Sequence, residues 1–513
     1  MRDQHPVGKG GGFGLSAHAT RQGSKVALVL DRPEGGPGEA VTYAELEERV
    51  WRLAAVLAGM GVGPGDRVGI LVPNSIEWFE AVHAAGRLGA LSVPVNVHFK
   101  AAEAGWVLSD SGSKLVVAHR EFLGALAEVP GLPRLVVGEG YAEAVAAADP
   151  GDGQRAACAG PDDWPVAMVY TSGTTGKPKG VVPGSGDLRR SASAMAGMIG
   201  RWGLGSDDVH LMVGPAYHSG PGAWAQAHLA MGATVVVMPR WDARRCLEAI
   251  EEYRVTSTHM VPSNFVRILD LPPEVQRRHD LSSLKVVVHA AAPCPVPVKR
   301  AFMDLVGPGK VFEYFGATEG GGTRISPEEW LAHPGSVGRP FPGNEVVILD
   351  DQGNRLPPGQ VGQIYMRTST GPFSYHGDPE KTAAAFRGEL FSVGDVGYLD
   401  EDGYLYITDR KADMVISGGV NIYPREIEDV LYMHPDIADC AVFGVPDPQW
   451  GEVLKAMVQC RSGRTLSEAE VVSWCRQHLA DYKRPRLVEF VDELPRDPNG
   501  KVAKHRLRQA ARP

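Results

Sequence analysis

Residues 170–180 read YTSGTTGKPKG. Gly173, Gly176 and Gly180 let the backbone turn its N–H groups toward an anion. Thr171, Ser172, Thr174 and Thr175 add hydroxyl donors, and Lys177 and Lys179 add positive charge. A polyphosphate needs this combination of groups. The run is not a Walker A loop, which keeps four residues between its glycines and places Ser or Thr after Gly-Lys. Here two residues separate Gly173 from Gly176, and Pro178 follows Lys177. A flexible linker is the plain alternative. Linkers, however, do not combine two lysines, a proline and four hydroxyls straight after a buried strand, and an apolar strand is predicted over 166–170.

Such a loop needs a scaffold, and the composition supplies one. The chain has 513 residues, 43% hydrophobic and 22% charged, which is ordinary globular usage. At about 150 residues per domain, the length corresponds to three or four folding units. Lys plus Arg is 52 and Asp plus Glu is 61, a net charge of −9. That balance argues against nucleic-acid and anionic-membrane partners. The cysteines at 158, 246, 294, 440, 460 and 475 form no CxxC pair. This excludes a disulfide scaffold or zinc ribbon and fits a reducing, cytoplasmic setting. No apolar run approaches the ~18 residues of a membrane span. Residues 1–25 read as a flexible lead-in without a secretory h-region.

Helix and strand alternate along the chain. Thr42 with Glu45 predicts a capping box before an apolar helical run. Strands are predicted over 68–72, 90–94, 233–238, 257–261, 285–290 and 310–315, with helices over 76–88, 242–253 and 296–306. This rhythm predicts a layered α/β fold with a largely parallel sheet. From about residue 335 the strands shorten and hairpin turns such as Asp351-Gln352-Gly353 appear, a small antiparallel β unit. The expected organisation is a large N-terminal domain over 26–409, with the β unit at 335–409, and a smaller mobile α+β domain over 410–513. No carrier domain with an Asp-Ser attachment turn follows, which favours a standalone protein.

The loop resembles the signature of the adenylate-forming enzymes: acyl-CoA synthetases, peptide-synthetase adenylation domains and luciferases. The resemblance covers about residues 40–508 and continues through AYHSGPGAW at 216–224, EYFGATEGG at 313–321, SVGDVGYLDEDGYLYI at 392–407, TDRKADMVISGGVNIYPREIE at 408–428 and PRDPNGK at 495–501. It implies that a carboxylate attacks the α-phosphate of ATP, giving an acyl-adenylate and pyrophosphate. Lys501 then resembles the lysine that bridges carboxylate and α-phosphate, and Thr318 a phosphate-contacting hydroxyl. Glu319 resembles the Mg²⁺ carboxylate, and Mg²⁺ needs only one or two such ligands beside phosphate and water. Asp395 and Arg410 resemble the ribose contacts. Ala291-Ala292-Pro293 and Glu313-Tyr314-Phe315 match the segments that line the adenine, one of Tyr314 and Phe315 being expected to face the core.

The resemblance also implies a second half-reaction, attack on the adenylate by coenzyme A after the C-terminal domain rotates. Gly418 and Gly419 match the segment lining the pantetheine tunnel, and Lys411 and Ala412 lie at the hinge. The hinge position is often Asp or Lys in the family, and Ala412 departs from that. Tyr217 and His218 resemble the carboxylate end of the acyl tunnel. Trp224, Ala290, Gly316 and Ala317 complete the candidate pocket. The small residues there imply a medium-to-large, mostly apolar acid: fatty, aryl or polycyclic. No Asp placed to grip an amino group is evident near 217–224, which disfavours an α-amino acid. The leading expectation is an acid–CoA ligase. Its rivals are an enzyme that hands acyl-AMP to a separate carrier, and a catalytically dead nucleotide-binding regulator, against which the intact Lys501, Glu319, Asp395 and Arg410 count. The acid and the oligomeric state stay open, a homodimer among the options.

Overall fold

The structure, a computed structural model, describes residues 13–158, 165–171, 178–182, 197, 199–369, 371–410, 413–417, 420–497 and 501–511. The chain folds into two compact units. One comprises Met1–His259, Ser283–Val286 and Thr370–Ala383, and the other Met260–Ser282, Val287–Ser369 and Ala384–Pro513. The boundary expected near Asp409 falls inside the second unit.

In the first unit, a four-stranded sheet runs in the order Leu91–Pro94, Arg67–Leu71, Leu115–His119, Arg134–Val137, every pair parallel. Three neighbouring strands, Val209–Met212, Thr234–Val237 and Val26–Leu30, are also parallel, and Glu39–Thr42 closes that edge antiparallel. Helices cover these sheets, as parallel crossovers require. Local sequence starts them. Thr42 accepts from Glu45 N, and Glu45 Oε2 accepts from Thr42 N at 2.8 Å, so the helix Tyr43–Gly59 opens with both halves of a capping box. Asp242 accepts from Arg245 N at 2.8 Å and caps Ala243–Glu252. The strand expected over 166–170 shrinks to Val169–Thr171, which pairs antiparallel with Lys179–Val182. Upstream of it, Val166 and Met168 bond instead to Ser92 of the neighbouring segment.

In the second unit, the strands Val311–Ala317 and Gly320–Ile325 form a tight hairpin, and Val311–Ala317 also runs parallel to Val286–His289. A separate antiparallel sheet contains Glu345–Leu349, Gly362–Arg367, Asp395–Leu399 and Leu405–Arg410, as the shortening strand pattern requires. The last hundred residues contribute the long antiparallel pair Ile437–Asp447 and Gly451–Cys460, packed by the helices Pro424–Tyr432 and Glu468–His478. Among the described residues no helix is long and apolar enough to cross a membrane.

The core of the first unit buries several imidazoles. His210 Nδ1 and His228 Nε2 both meet Ser257 Oγ at 3.0 Å, and the two rings stack at 4.1 Å. His83 Nε2 meets Gln226 Oε1 at 2.8 Å. Burial holds His228 and His259 down at about 4 and, with help from Arg87, His83 at about 3. Burial also holds His210 well below its ordinary value. Unfolded, these groups take up protons near 6.5. The unfolded chain therefore binds more protons than the native one between about 6.5 and about 4, and stability falls as pH falls through that window. Thermal unfolding should show a midpoint lower by about 10 °C at pH 5 than at pH 7. A midpoint that holds level across that range would mean that these rings are not neutral in the native core.

Candidate active site

Four charged residues from separate stretches converge in the second unit. Asp395 opens its strand and Arg410 closes the antiparallel partner, directly opposite in register. Arg410 Nε lies 3.4 Å from Asp395 Oδ1. Asp395 is buried, whereas Arg410 is half exposed. Gly394, just before Asp395, sits at φ 91°, a left-handed conformation that a side chain would strain. That turn delivers the carboxylate to the strand end.

Two hydrogen bonds tie Lys501 to Asp497. Asp497 N donates to Lys501 O at 2.7 Å, and Lys501 N donates back to Asp497 Oδ1 at 3.0 Å. Ion pairs pin both flanks. Arg496 is bonded to Asp439, and Lys504 Nζ lies 2.8 Å from Glu428 Oε1. Burial pushes the Lys501 ammonium below the ordinary lysine value, and Arg410 pushes the same way, while Asp497, Asp395 and Glu319 oppose them. Burial raises Asp395, against the pull of Arg410 and Lys501. Residues 498–500 lie outside the described residues.

Thr318 and Glu319 form the two-residue turn between Val311–Ala317 and Gly320–Ile325, with Ala317 opposite Gly320. A Cβ on Gly316 would lie 3.3 Å from Gly321 Cα and 3.4 Å from Gly320 O. A side chain at 316 therefore presses on the hairpin that carries Glu319. Tyr314 and Phe315 are both half-buried, and the inward positions of the strand are Val311 and Glu313. Strict alternation fails because a bulge interrupts the register between Phe315 and Gly316. The Glu313 carboxylate points inside, where Lys299 and His289 take it up. Ala290 is buried, and Ala291 holds φ 73°, rare for a residue with a Cβ. Ala292 and Pro293 complete that loop before the helix Val296–Val306.

The first unit holds the other candidates. Thr171 ends the strand Val169–Thr171, and the preceding Tyr170 hydroxyl donates to Asp110 Oδ2 at 2.6 Å. Lys179 lies with Nζ 4.9 Å from the Tyr375 ring centre. Ser172, Gly173, Thr174, Thr175, Gly176 and Lys177 lie outside the described residues, as do Lys411, Ala412, Gly418 and Gly419. His218 stands at the N-cap of the helix Ser219–Ala230, its ring tilted against buried Tyr217 at 4.4 Å. Trp224 is fully buried, stacked on Trp202 at 5.4 Å among His210, His228 and His259. Its ring belongs to core packing, the usual place of an indole on an apolar helix face.

Two participants escaped the sequence reading. Asp497 closes the Lys501 turn, and the spacing Asp-Pro-Asn-Gly-Lys could have shown it, because Asp at the start of such a turn bonds to backbone N–H groups ahead of it. Lys299, buried in the interior where it pairs with Glu313, carries no local signal.

Comparison with known proteins completes the picture. The family described as "AMP-binding enzyme" matches residues 15–373, and "AMP-binding enzyme C-terminal domain" matches 426–501. A feruloyl-CoA synthase of Amycolatopsis sp is 37% identical over 485 residues, covering 92% of this chain and 94% of that protein. The fatty acid–[acyl-carrier-protein] ligase ScoC of Streptomyces coeruleorubidus is 33% identical over 507 residues, covering 96% and 95%. The structure of the anthranilate CoA ligase AuaEII in complex with anthranoyl-AMP superposes with a TM-score of 0.84 at 28% identity, over 97% of this chain and 96% of that one. The convergence of Lys501, Asp395, Arg410 and Glu319 thus sits in a chain that belongs, over nearly its whole length, to the AMP-binding, adenylate-forming enzymes.

Proposed function

We propose that this chain activates a carboxylic acid with ATP and passes the acyl group to coenzyme A. The observation that carries the adenylation step is the meeting of Lys501, Asp395, Arg410 and Glu319 around the buried Asp395 carboxylate. A carboxylate oxygen of the acid attacks the α-phosphorus, the bond to the β-phosphate breaks, and pyrophosphate leaves. The Lys501 ammonium meets the negative charge that develops between the two anions. Asp395 accepts from the ribose hydroxyls, two acceptor oxygens suiting a vicinal diol, and Arg410 steadies it. Glu319, presented at a hairpin turn, fits a Mg²⁺ site, since that ion asks for one or two carboxylates beside phosphate oxygens and water. When bound, Mg²⁺ neutralises charge on the phosphates. The thiolate of coenzyme A then attacks the acyl carbonyl and AMP leaves. A carrier-protein thiol is the second reading, favoured by the similarity to ScoC. The small residues Ala290, Gly316 and Ala317 favour a fatty, aryl or polycyclic acid, and the reduced cysteines favour the cytoplasm.

Acid-dependent ATP–pyrophosphate exchange over a panel of fatty, aryl and polycyclic acids tests the first step. A chase of preformed acyl-adenylate with coenzyme A tests the second. Exchange with at least one class is expected, followed by rapid release of AMP on the chase. Exchange without such release would move the assignment to a carrier-dependent enzyme, and no exchange with any class would remove it.

Lys501→Ala should leave the fold intact and lower exchange by ~10²–10³. The charged ammonium is the working form, and burial with Arg410 lowers its pKa. The alkaline limb of kcat/KM should therefore appear below the ordinary lysine value near 10.4. In Lys501→Ala that limb should vanish. Wild-type exchange rates in the folded variant would remove Lys501 from the mechanism.

A further inference from the structure

We propose that Lys299, Glu313 and His289 are positioning residues that set the affinity for ATP by fixing the two segments expected to line the adenine. This rests on the reading of the chain as an adenylating enzyme. The three come from three elements. His289 ends the strand Val286–His289, Lys299 lies early in the helix Val296–Val306, and Glu313 lies on the strand Val311–Ala317. His289 and Glu313 are register partners on adjacent parallel strands. Lys299 Nζ lies 2.7 Å from Glu313 Oε2, and His289 Nε2 lies 3.4 Å from the same oxygen. Lys299 and His289 have no exposed surface and Glu313 is 5% exposed. Around them, Lys299 Nζ stands 4.6 Å from the ring centre of buried Trp330, and Phe265 meets His289 edge-on at 5.2 Å.

A buried ion pair is poor evidence of a stabilising role, because well-packed apolar residues of similar volume often do as well or better. What the Lys299–Glu313 hydrogen bond and the His289 ring packed 3.4 Å from the same oxygen give here is direction. The loop from Ala290 to Pro295 enters through His289 and leaves into the helix of Lys299, and both residues meet on one carboxylate oxygen. Within that loop Ala291 holds φ 73°. A left-handed residue with a Cβ persists only where its surroundings over-determine it. Tyr314 and Phe315, the other expected adenine segment, follow Glu313 directly. One buried carboxylate thus fixes both walls of the expected adenine site from behind, without touching the nucleotide.

ATP itself is the probe, titrated calorimetrically in the presence of MgCl₂ into the native chain, Glu313→Gln, Lys299→Met and the double variant Lys299→Met/Glu313→Leu. The single Lys299→Met change strands a buried carboxylate and should lower the melting temperature. The double variant removes both charges and should recover most of that loss. Its ATP Kd should nevertheless stay weaker than native by about tenfold, with Glu313→Gln in between. In exchange assays with an acid found active in the panel, the KM for ATP should rise by the same factor while the KM for the acid holds. A double variant and a Glu313→Gln variant that both keep native ATP affinity would overturn the proposal alone, showing the pair to be core packing. Failure of the native chain to bind ATP would instead overturn the adenylating reading, and this proposal with it.

Discussion

An ammonium held out of water beside a guanidinium is tolerable only where carboxylates answer it. That constraint organises the site. Lys501 faces burial and Arg410 on one side of the balance and Asp497, Asp395 and Glu319 on the other. Each carboxylate arrives from a different piece of the second unit: Asp497, bonded to the Lys501 backbone, the start of a strand, and a hairpin tip. No local motif can bring them together, so the site exists only when the unit is assembled. The same balance leaves the ammonium attracted to any anion that enters.

Backbone geometry does the placing. Asp395 and Arg410 face each other because antiparallel register puts the first residue of one strand opposite the last of the next. Thr318 and Glu319 occupy a two-residue turn, and a Cβ on Gly316 would come within 3.3 Å of the Gly321 Cα on the facing strand. Rigid strand ends holding short turns combine fixed direction with access, and preorganised electrostatics needs both.

What could be read from the sequence divides along physical lines. Elements set by neighbours in the chain were legible. The capping box at Thr42 and Glu45 formed as expected, and the helix predicted over 296–306 is Val296–Val306. Elements set by distant partners were less so. The strand expected over 166–170 keeps only its end, because Val166 and Met168 find their bonds on Ser92. Periodicity could not tell that Tyr314 and Phe315 would both be half-buried, since a bulge is a register event between two strands. Of the site, Lys501, Glu319, Asp395 and Arg410 were visible through motifs, while Asp497 was present in the same turn and unread.

Lys299 and Lys501 show why residue type alone could not finish the reading. Both are lysines removed from water near carboxylates, and in sequence each is a single basic residue in an ordinary context. Their surroundings differ in one respect. Lys299 meets a carboxylate at 2.7 Å within a packed interior, so its charge is already answered and its direction is committed. Lys501 has no such single close pair: three carboxylates act on it together, against burial and Arg410. A charge already answered fixes structure; a charge partly opposed by a like neighbour is available to a substrate. The first arrangement is therefore suited to holding a wall in place and the second to steadying a transition state. Both follow from the same desolvation cost, met by one close ion pair in the first case and shared among three carboxylates in the second.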